Sequence, residues 1–171
     1  MERIENWNEI KESGNSTMLK PDGYIVKITD VKDVQDKKYL EIHFDIAQGE
    51  FKAYFEQLMA QHGFWAGKYC ASYGEKAQNL FKRFISCIER SNTGYTFNFD
   101  ETTLKGKFVG MTLTQEEYIK QDGSKGKRTK VAKIYDVADI ENGNYKIPDV
   151  ITIPDQVQNV PVVADDSDLP F

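Results

Sequence analysis

The chain has 171 residues, of which 40% are apolar and 29% are charged, and its formal net charge is −5. This composition suffices for one compact domain with a hydrophobic core and excludes a wholly disordered chain. No uncharged apolar run approaches the roughly 20 residues that a membrane-spanning helix needs, so we expect no membrane association. The first residues are partly acidic and lack the basic start and apolar stretch of a secretory signal, which predicts a cytoplasmic protein.

The N-terminal half of the chain predicts a β-hairpin and a third strand. β-branched residues fill 24–31 after a turn sequence, and 39–46 alternates between apolar and polar residues. The apolar residues of this second strand should face the core and the others should face water. The core set is Leu40, Ile42, Phe44 and Ile46, and the water-facing set is Tyr39, Glu41, His43 and Asp45. Residues 51–62 fit both strand and helix; we expect a strand end followed by a helical turn, and then a strand over 68–73.

One clear helix is predicted between the third and fourth strands. It begins near Gly74-Glu75 and ends near 91–94, which is a good helix-ending sequence. An apolar stripe at helical spacing runs along it and consists of Ala77, Leu80, Phe81, Phe84, Ile85 and Ile88. Residues 108–118 and 129–137 predict a second long hairpin around a polar turn at 121–127.

Five strands with one helix between the third and the fourth is the order of the OB-fold, a small Greek-key barrel that commonly binds oligonucleotides. Other α+β arrangements share this order, so it does not choose among them. We expect a mainly β OB-fold domain over residues 1–148, with a short N-terminal extension over 1–22. Residues 149–171 should form a flexible acidic tail, of which 150–153 can still lie against the barrel as an edge strand.

The net charge conceals an asymmetry along the chain. Residues 149–171 contain five acidic residues and no Lys or Arg, so the rest of the chain is electrically balanced. Residues 103–135 carry eight basic residues against three acidic ones. The second hairpin is therefore predicted to be basic and suited to contact with phosphates.

Patterns typical of catalysis or metal binding are sparse. His43 and His62 are the only histidines, and neither lies at a ligand-like spacing from another His or Cys. Cys70 and Cys87 are too few for a disulfide scaffold and predict reduced core thiols. Residues 123–129 superficially resemble a phosphate loop but lack its first glycine and its strand-to-helix context. We expect no enzymatic activity, no cofactor, and no catalytic or metal-binding residue.

Nucleic-acid binding accounts for more of the residues. A single strand is held by cations that neutralise its phosphates and by exposed rings on which its bases stack. Aromatic residues concentrate around the second and third strands, where barrels of this type engage oligonucleotides, although each ring can equally belong to the core. The predicted DNA-binding residues are Tyr39, Tyr54, Trp65, Lys68, Tyr69, Lys105, Lys107, Lys120, Lys125, Lys127, Arg128 and Lys130. The acidic Glu41 and Asp45 on the outward face are expected to mark where the groove ends.

The most specific pattern is the C-terminal sequence 164–171, Ala-Asp-Asp-Ser-Asp-Leu-Pro-Phe. It resembles the acidic tip of bacterial single-stranded-DNA-binding proteins, which recruits repair and replication enzymes. An ending of this kind arises by chance roughly once in 10⁵ sequences. The ring and free carboxylate of Phe171 suit a pocket with an apolar floor and a basic rim. The predicted partner-binding residues are Asp165, Asp166, Asp168, Leu169, Pro170 and Phe171.

The body of the chain resembles a family of small phage and prophage proteins of Gram-positive bacteria. The resemblance covers about residues 1–148 and is carried by Pro21-Asp22-Gly23-Tyr24, 39–47, 49–51, Ser91-Asn92 before Tyr95, and 104–107 before Val109-Gly110. These proteins are generally taken to be phage single-stranded-DNA-binding or recombination-associated proteins.

The two resemblances imply a protein of the bacterial host cytoplasm that coats single-stranded DNA in phage replication or recombination. Its tip would recruit replication and recombination proteins. The body departs from the cellular single-stranded-DNA-binding pattern, so tetramerisation is not implied, and a homodimer stays open. The alternative is an adaptor or inhibitor that mimics a host protein's tail and does not itself bind DNA.

Overall fold

A computed structural model of the chain describes residues 2–3, 5, 7–9 and 18–154. The protein is mainly β, with a five-stranded antiparallel sheet and a 17-residue helical segment between the third and fourth strands. The strands are β1 (Asp22–Val34), β2 (Tyr39–Ile46), β3 (Lys68–Ser72), β4 (Phe108–Ile119) and β5 (Lys125–Tyr135). The helices are α1 (Tyr54–His62), α2 (Gln78–Ser91), which follows a 3₁₀ turn at Glu75–Ala77, and α3 (Val137–Glu141). The predicted strand order and the long helix are confirmed.

β1 lies in the middle of the sheet, whose order is β3-β2-β1-β4-β5. Its first half pairs with β4, from Asp22 to Lys27, and the part from Val26 to Val34 pairs with β2. The register with β2 shifts between Ile28 and Asp30, and such a bulge bends a strand. β3 and β5 are the two edge strands, and no ladder joins them within residues 18–154.

A single apolar cluster covers one face of the sheet. The apolar residues predicted to face the core from β2 are all buried, and α2 packs on the same face. The buried residues of α2 are Phe84, Ile85, Cys87 and Ile88. Leu80 belongs to the predicted apolar stripe but is 62% exposed, because the first fully buried residue of α2 is Phe84, one turn later. No helix in the described part of the chain is long and apolar enough to cross a bilayer.

Two expectations near the end of β2 are wrong, and they share one cause. Asp45 does not face water: it is only 8% exposed. Its carboxylate accepts hydrogen bonds from the backbone N–H groups of Phe55 (2.9 Å) and Glu56 (3.1 Å). These N–H groups belong to the first turn of α1, where no carbonyl of the helix itself can accept from them. Residues 51–53 therefore form a turn into a helix, and no strand end occurs there.

The segment after β5 was not predicted as a helix. β5 ends at Tyr135, and α3 follows and covers part of the outer side of the sheet. A Cβ at Gly110 would lie 2.6 Å from Ile140 Cγ1, so glycine there permits α3 to approach. The ring of Tyr145 lies equally close above Gly23.

The chain then continues beside β4. The backbone N–H of Ile151 donates to Gln115 (2.9 Å), and its carbonyl accepts from the N–H of Glu117 (2.9 Å). The expectation that 150–153 lies against the sheet is confirmed in the form of this single parallel bridge. The described chain thus leaves the sheet close to the β4–β5 turn.

Candidate nucleic-acid interface

The side of β1, β2 and β3 opposite the core is the candidate site. Antiparallel register places His43 between Asp30 of β1 and Lys68 of β3, and places Glu41 between Lys32 and Cys70. Cys70 is exposed here, so its prediction as a core thiol is wrong, whereas Cys87 is buried. Directly opposed residues share a face, so these side chains form two adjacent rows. We call these rows, together with the neighbouring Trp65 and Lys105, the outer face; its members are Asp30, Lys32, Glu41, His43, Trp65, Lys68, Cys70 and Lys105.

Trp65 supplies the aromatic surface of the outer face, and its half-buried side chain also packs against the edge of the core cluster. Its indole stacks on the imidazole of His43, with ring centroids 6.4 Å apart and planes 13° apart. The indole N–H donates to the carbonyl of Gly67 (3.0 Å), which orients the ring. A Cβ at Gly67 would lie 2.3 Å from the carbonyl oxygen of Phe44, so only glycine allows this close passage. The sequence predicted Trp65 as a DNA-binding residue but did not predict His43 as one. The alternation of β2 already placed His43 on the water-facing side, and this signal could have identified it.

The acidic groups of the outer face hold its lysines loosely. Glu41 lies 2.8 Å from Nε2 of His43, and this hydrogen bond, with help from Lys68, lowers the pKa of Glu41. The amino group of Lys68 is 3.9 Å from Glu41, and that of Lys105 is 3.9 Å from Asp30. Both distances exceed hydrogen-bonding range, and both lysines are exposed. A phosphate can therefore compete for either lysine at little cost.

Two further cations lie on aromatic rings where β4 begins. The amino group of Lys107 is 4.6 Å from the ring centroid of Tyr95, and that of Lys27 is 5.9 Å from the centroid of Phe108. Lys27 opposes Phe108 across the sheet, which extends the line of cations from the outer face. Neither Lys27 nor Phe108 was predicted as a site residue.

The three tyrosines predicted to stack on DNA differ in position. Tyr39 is half-buried at the start of β2, in line with the outer rows. Tyr69 opposes Ile42, so it points to the core side, where it packs on Phe84 at 5.3 Å and burial raises its pKa. Tyr54 packs on Phe55 at 5.2 Å. Tyr54 and Tyr69 thus contribute to the margin of the core and do not extend the outer face.

The predicted basic hairpin, β4–β5, pairs much of its own charge. Arg128 Nε lies 2.8 Å from Glu116, and Lys130 lies 3.4 Å from the same carboxylate, whose pKa the Arg128 hydrogen bond lowers. The amino group of Lys125 donates to the carbonyl of Ile153 (3.2 Å) and lies 3.9 Å from Glu117. In the described part of the chain, Lys120 and Lys127 near the turn have no ion-pair partner. The count of basic residues therefore overstated the cations that this hairpin can offer to a ligand.

The structure separates the predicted DNA-binding residues into two groups. α3 and Tyr145 cover the middle of the sheet surface, with Trp65, Lys68 and Lys105 on one side and the hairpin cations on the other. The predicted partner-binding residues 165–171 lie outside the described residues. No protein-family model matches the chain, and no curated protein matches it significantly.

Proposed function

We propose that this chain is a single-stranded-DNA-binding protein of OB-fold type and that the outer face is its DNA site. The observation that carries the proposal is the Trp65–His43 stack with two loosely held lysines beside it. An aromatic platform next to exchangeable cations is the arrangement that single strands need, since their bases are free to stack and their phosphates require neutralisation.

The strand order supports the OB-fold. In that fold the first strand is shared between two halves of the barrel, and here β1 pairs with β4 through one half and with β2 through the other. The helix between β3 and β4 is also in the expected place. α2 packs between the two edge strands, and Arg83 donates two hydrogen bonds to the carbonyl of Ile134 in β5 (2.9 and 3.2 Å).

The proposed role is to coat single-stranded DNA during phage replication or recombination without enzymatic activity. The acidic residues of 165–171 would recruit replication or recombination proteins, since their charge attracts a basic partner surface and Phe171 offers a ring. Deletion of 165–171 should leave DNA affinity unchanged or raise it, because it removes negative charge and none of the outer face.

Fluorescence anisotropy with labelled oligo-dT tests the DNA site. Trp65→Ala should lower affinity by about 10- to 100-fold through loss of stacking, whereas Trp65→Phe should retain most of it. Lys82→Gln, an exposed charge on α2 on the core side of the sheet, is the matched control and should bind as the wild type does. Circular dichroism melts of each variant separate a binding effect from unfolding.

The adaptor alternative predicts a different result. A protein that only mimics a host tail would give no anisotropy change at micromolar concentration and no dependence on salt. A wild-type affinity that stays constant between low and moderate salt would also contradict phosphate contact, because counterion release makes such binding strongly salt-dependent.

A further inference from the structure

A further pair of residues, Lys27 and Phe108, continues the outer side of the sheet beyond the outer face. On β2, Asp45 lies two residues after His43, so the two residues belong to the same side of the sheet. The register opposes Asp45 to Lys27 of β1, and Lys27 to Phe108 of β4. These residues form the next row after the one that contains His43, and both Lys27 and Phe108 are exposed.

The ring of Phe108 is held in a fixed position. Phe108 is 38% exposed and the next residue, Val109, is buried, so the ring points away from the core. β5 pairs with β4 only from Gly110 onward, and the side-chain amide of Asn92 takes its place at Phe108. The amide nitrogen donates to the carbonyl of Phe108 (2.8 Å), and the amide oxygen accepts from its N–H (3.0 Å). Because the backbone is ordered before any ligand arrives, binding to this ring costs less entropy.

Lys27 is a cation that a phosphate can use. Its amino group is 5.9 Å from the centroid of the Phe108 ring, at the outer limit of a cation–π contact. The carboxylate opposite Lys27 in the register, that of Asp45, already accepts from three backbone N–H groups. No ion pair joins Lys27 to another residue of the described chain. Lys27 can therefore move onto a phosphate without breaking a strong bond.

Lys105 links this pair to the Trp65–His43 stack. Its amino group is 3.9 Å from Asp30, which lies opposite His43. The next residue, Gly106, donates its N–H to the carbonyl of Ile28 (2.8 Å), and Ile28 directly follows Lys27. Cations thus lie beside both aromatic sites and between them.

One single strand can span the two aromatic sites. Phe108 and His43 lie two strands and two residues apart, which corresponds to about 12 Å between their Cα atoms. A stacked strand advances about 3.4 Å per nucleotide, so about four nucleotides reach from one ring to the other, and fewer do so when the strand is extended.

The surface beyond Phe108 is closed and acidic. The next outward residue of β4 is Gly110, and Ile140 of α3 lies against it. A concavity beside Ile140 is lined by Lys20 and by three carboxylates, those of Asp22, Glu50 and Glu141. These carboxylates repel phosphates, so a strand that follows the cations runs from Phe108 towards Trp65 and not past α3.

We propose that Lys27 and Phe108 form a second subsite for single-stranded DNA, in which a base stacks on Phe108 and a phosphate contacts Lys27. The strand crosses the sheet from Trp65, past Lys105, to Phe108. This inference rests on the proposed function and extends it, because one strand then engages two rings. Neither contact reads a base edge, so the second subsite adds affinity without sequence preference.

Fluorescence anisotropy of the full chain with an oligo-dT of about ten nucleotides tests the second subsite. Phe108→Leu removes the ring but keeps an apolar side chain, and it should lower affinity about tenfold, whereas Phe108→Tyr should retain most of it. Lys27→Gln should lower affinity about threefold and reduce the slope of log affinity against log salt by about 0.7. A purely structural role of Lys27 would leave that slope unchanged.

Phe99→Asn is the matched control. Phe99 is 87% exposed, more than Phe108, but Asp100 and Glu101 directly follow it. Its φ of 56° is one that asparagine tolerates. Phe99→Asn should bind oligo-dT as the wild type does, because an exposed ring without cations beside it does not hold a strand. Circular dichroism melts of all variants separate binding effects from unfolding.

A thymidine dinucleotide is too short to span both rings. Its dissociation constant at Trp65, measured from the NMR shift of the indole N–H, should therefore be the same in Phe108→Leu as in the wild type. On the longer strand, Trp65→Ala combined with Phe108→Leu should lose about the product of the two single losses, because the two rings are far enough apart to act independently.

The results distinguish failure of the second subsite from failure of the proposed function. If Phe108→Leu binds oligo-dT within twofold of the wild type while Trp65→Ala binds weakly, the second subsite is wrong and the proposed function stands. An equal loss in Phe99→Asn, or a weaker dinucleotide affinity at Trp65 in Phe108→Leu, would also overturn the second subsite. A wild type that binds no oligo-dT would defeat the proposed function and this inference with it.

Discussion

The outer face and the β4–β5 hairpin both carry several lysines, but they hold them differently. In the hairpin, Arg128 makes a 2.8 Å hydrogen bond to Glu116, which opposes it directly across the strands. On the outer face, Lys68 and Lys105 are 3.9 Å from their acidic neighbours. The outer face also has an aromatic stack in line with its cations, whereas Tyr118 of the hairpin lies against Arg128 at 5.2 Å. The number of cations in a region is therefore a poorer guide to ligand binding than the geometry of their partners.

The largest effect in this comparison should come from Asp45 at the end of β2, which holds the first turn of α1 in place. Asp45→Ala removes the acceptor for three backbone N–H groups, those of Ile46, Phe55 and Glu56. We expect the free energy of unfolding to fall by about 2 kcal/mol, measured by urea denaturation. Asp45→Asn should lose less, since an amide oxygen still accepts.

Hydrogen exchange locates that effect. The amides of α1 and the residues leading to Trp65 should exchange faster in Asp45→Ala, and those of β5 should keep their wild-type rates. Equal acceleration in the hairpin would mean that the two regions are not independent.

A smaller effect separates the cations of the two regions. Lys68→Gln should lower oligo-dT affinity about threefold and reduce the slope of log affinity against log salt by about 0.7, because one phosphate contact is lost. Arg128→Gln should change affinity less than about twofold, because this residue is already engaged by Glu116. If Arg128→Gln lowered oligo-dT affinity as much as Lys68→Gln does, the DNA site would lie on the hairpin and not on the outer face.

The smallest effect concerns a pair in neither region. The hydrogen bond from Arg90 (2.8 Å) lowers the pKa of Asp136. A lowered folded-state pKa stabilises the protein above the unfolded value of about 3.9, and this contribution is lost as pH falls below it. Asp136→Asn should cost about 0.5 kcal/mol at pH 7, because Arg90 is largely exposed, and about nothing well below pH 4. Urea denaturation at both pH values measures the difference, and a cost that persists in acid would indicate a packing effect instead.

The strands and α2 were predictable because their residues repeat with the period of the element. Leu40, Ile42 and Phe44 alternate, and Phe84, Ile85 and Ile88 recur at helical spacing. Asp45 was misassigned because alternation cannot reveal that a carboxylate ten residues before Phe55 will meet its N–H group. α3 was missed because five residues carry too little periodicity to distinguish a helix from the end of a strand.

The candidate site was predictable only in part. Trp65, Lys68 and Lys105 were identified from residue type and local charge, and they lie together on or beside the outer face. His43 and Lys27 were not identified, since their roles depend on partners from other parts of the chain. Residue type could not show that Tyr69 and Tyr54 lie at the margin of the core while Trp65 lies on the outer face, because aromatic residues occur in both environments.

The sequence by itself determined the order of the strands, the position of α2 and the concentration of acidic charge in residues 149–171, because each depends on residues near one another in the chain. Only the tertiary structure decided that Asp45 is buried against the start of α1 and which lysines remain loosely held. These features arise from strand register and from contacts between separate segments, such as the hydrogen bond from Phe55 to Asp45 across ten residues. Local pattern carries no information about such pairings.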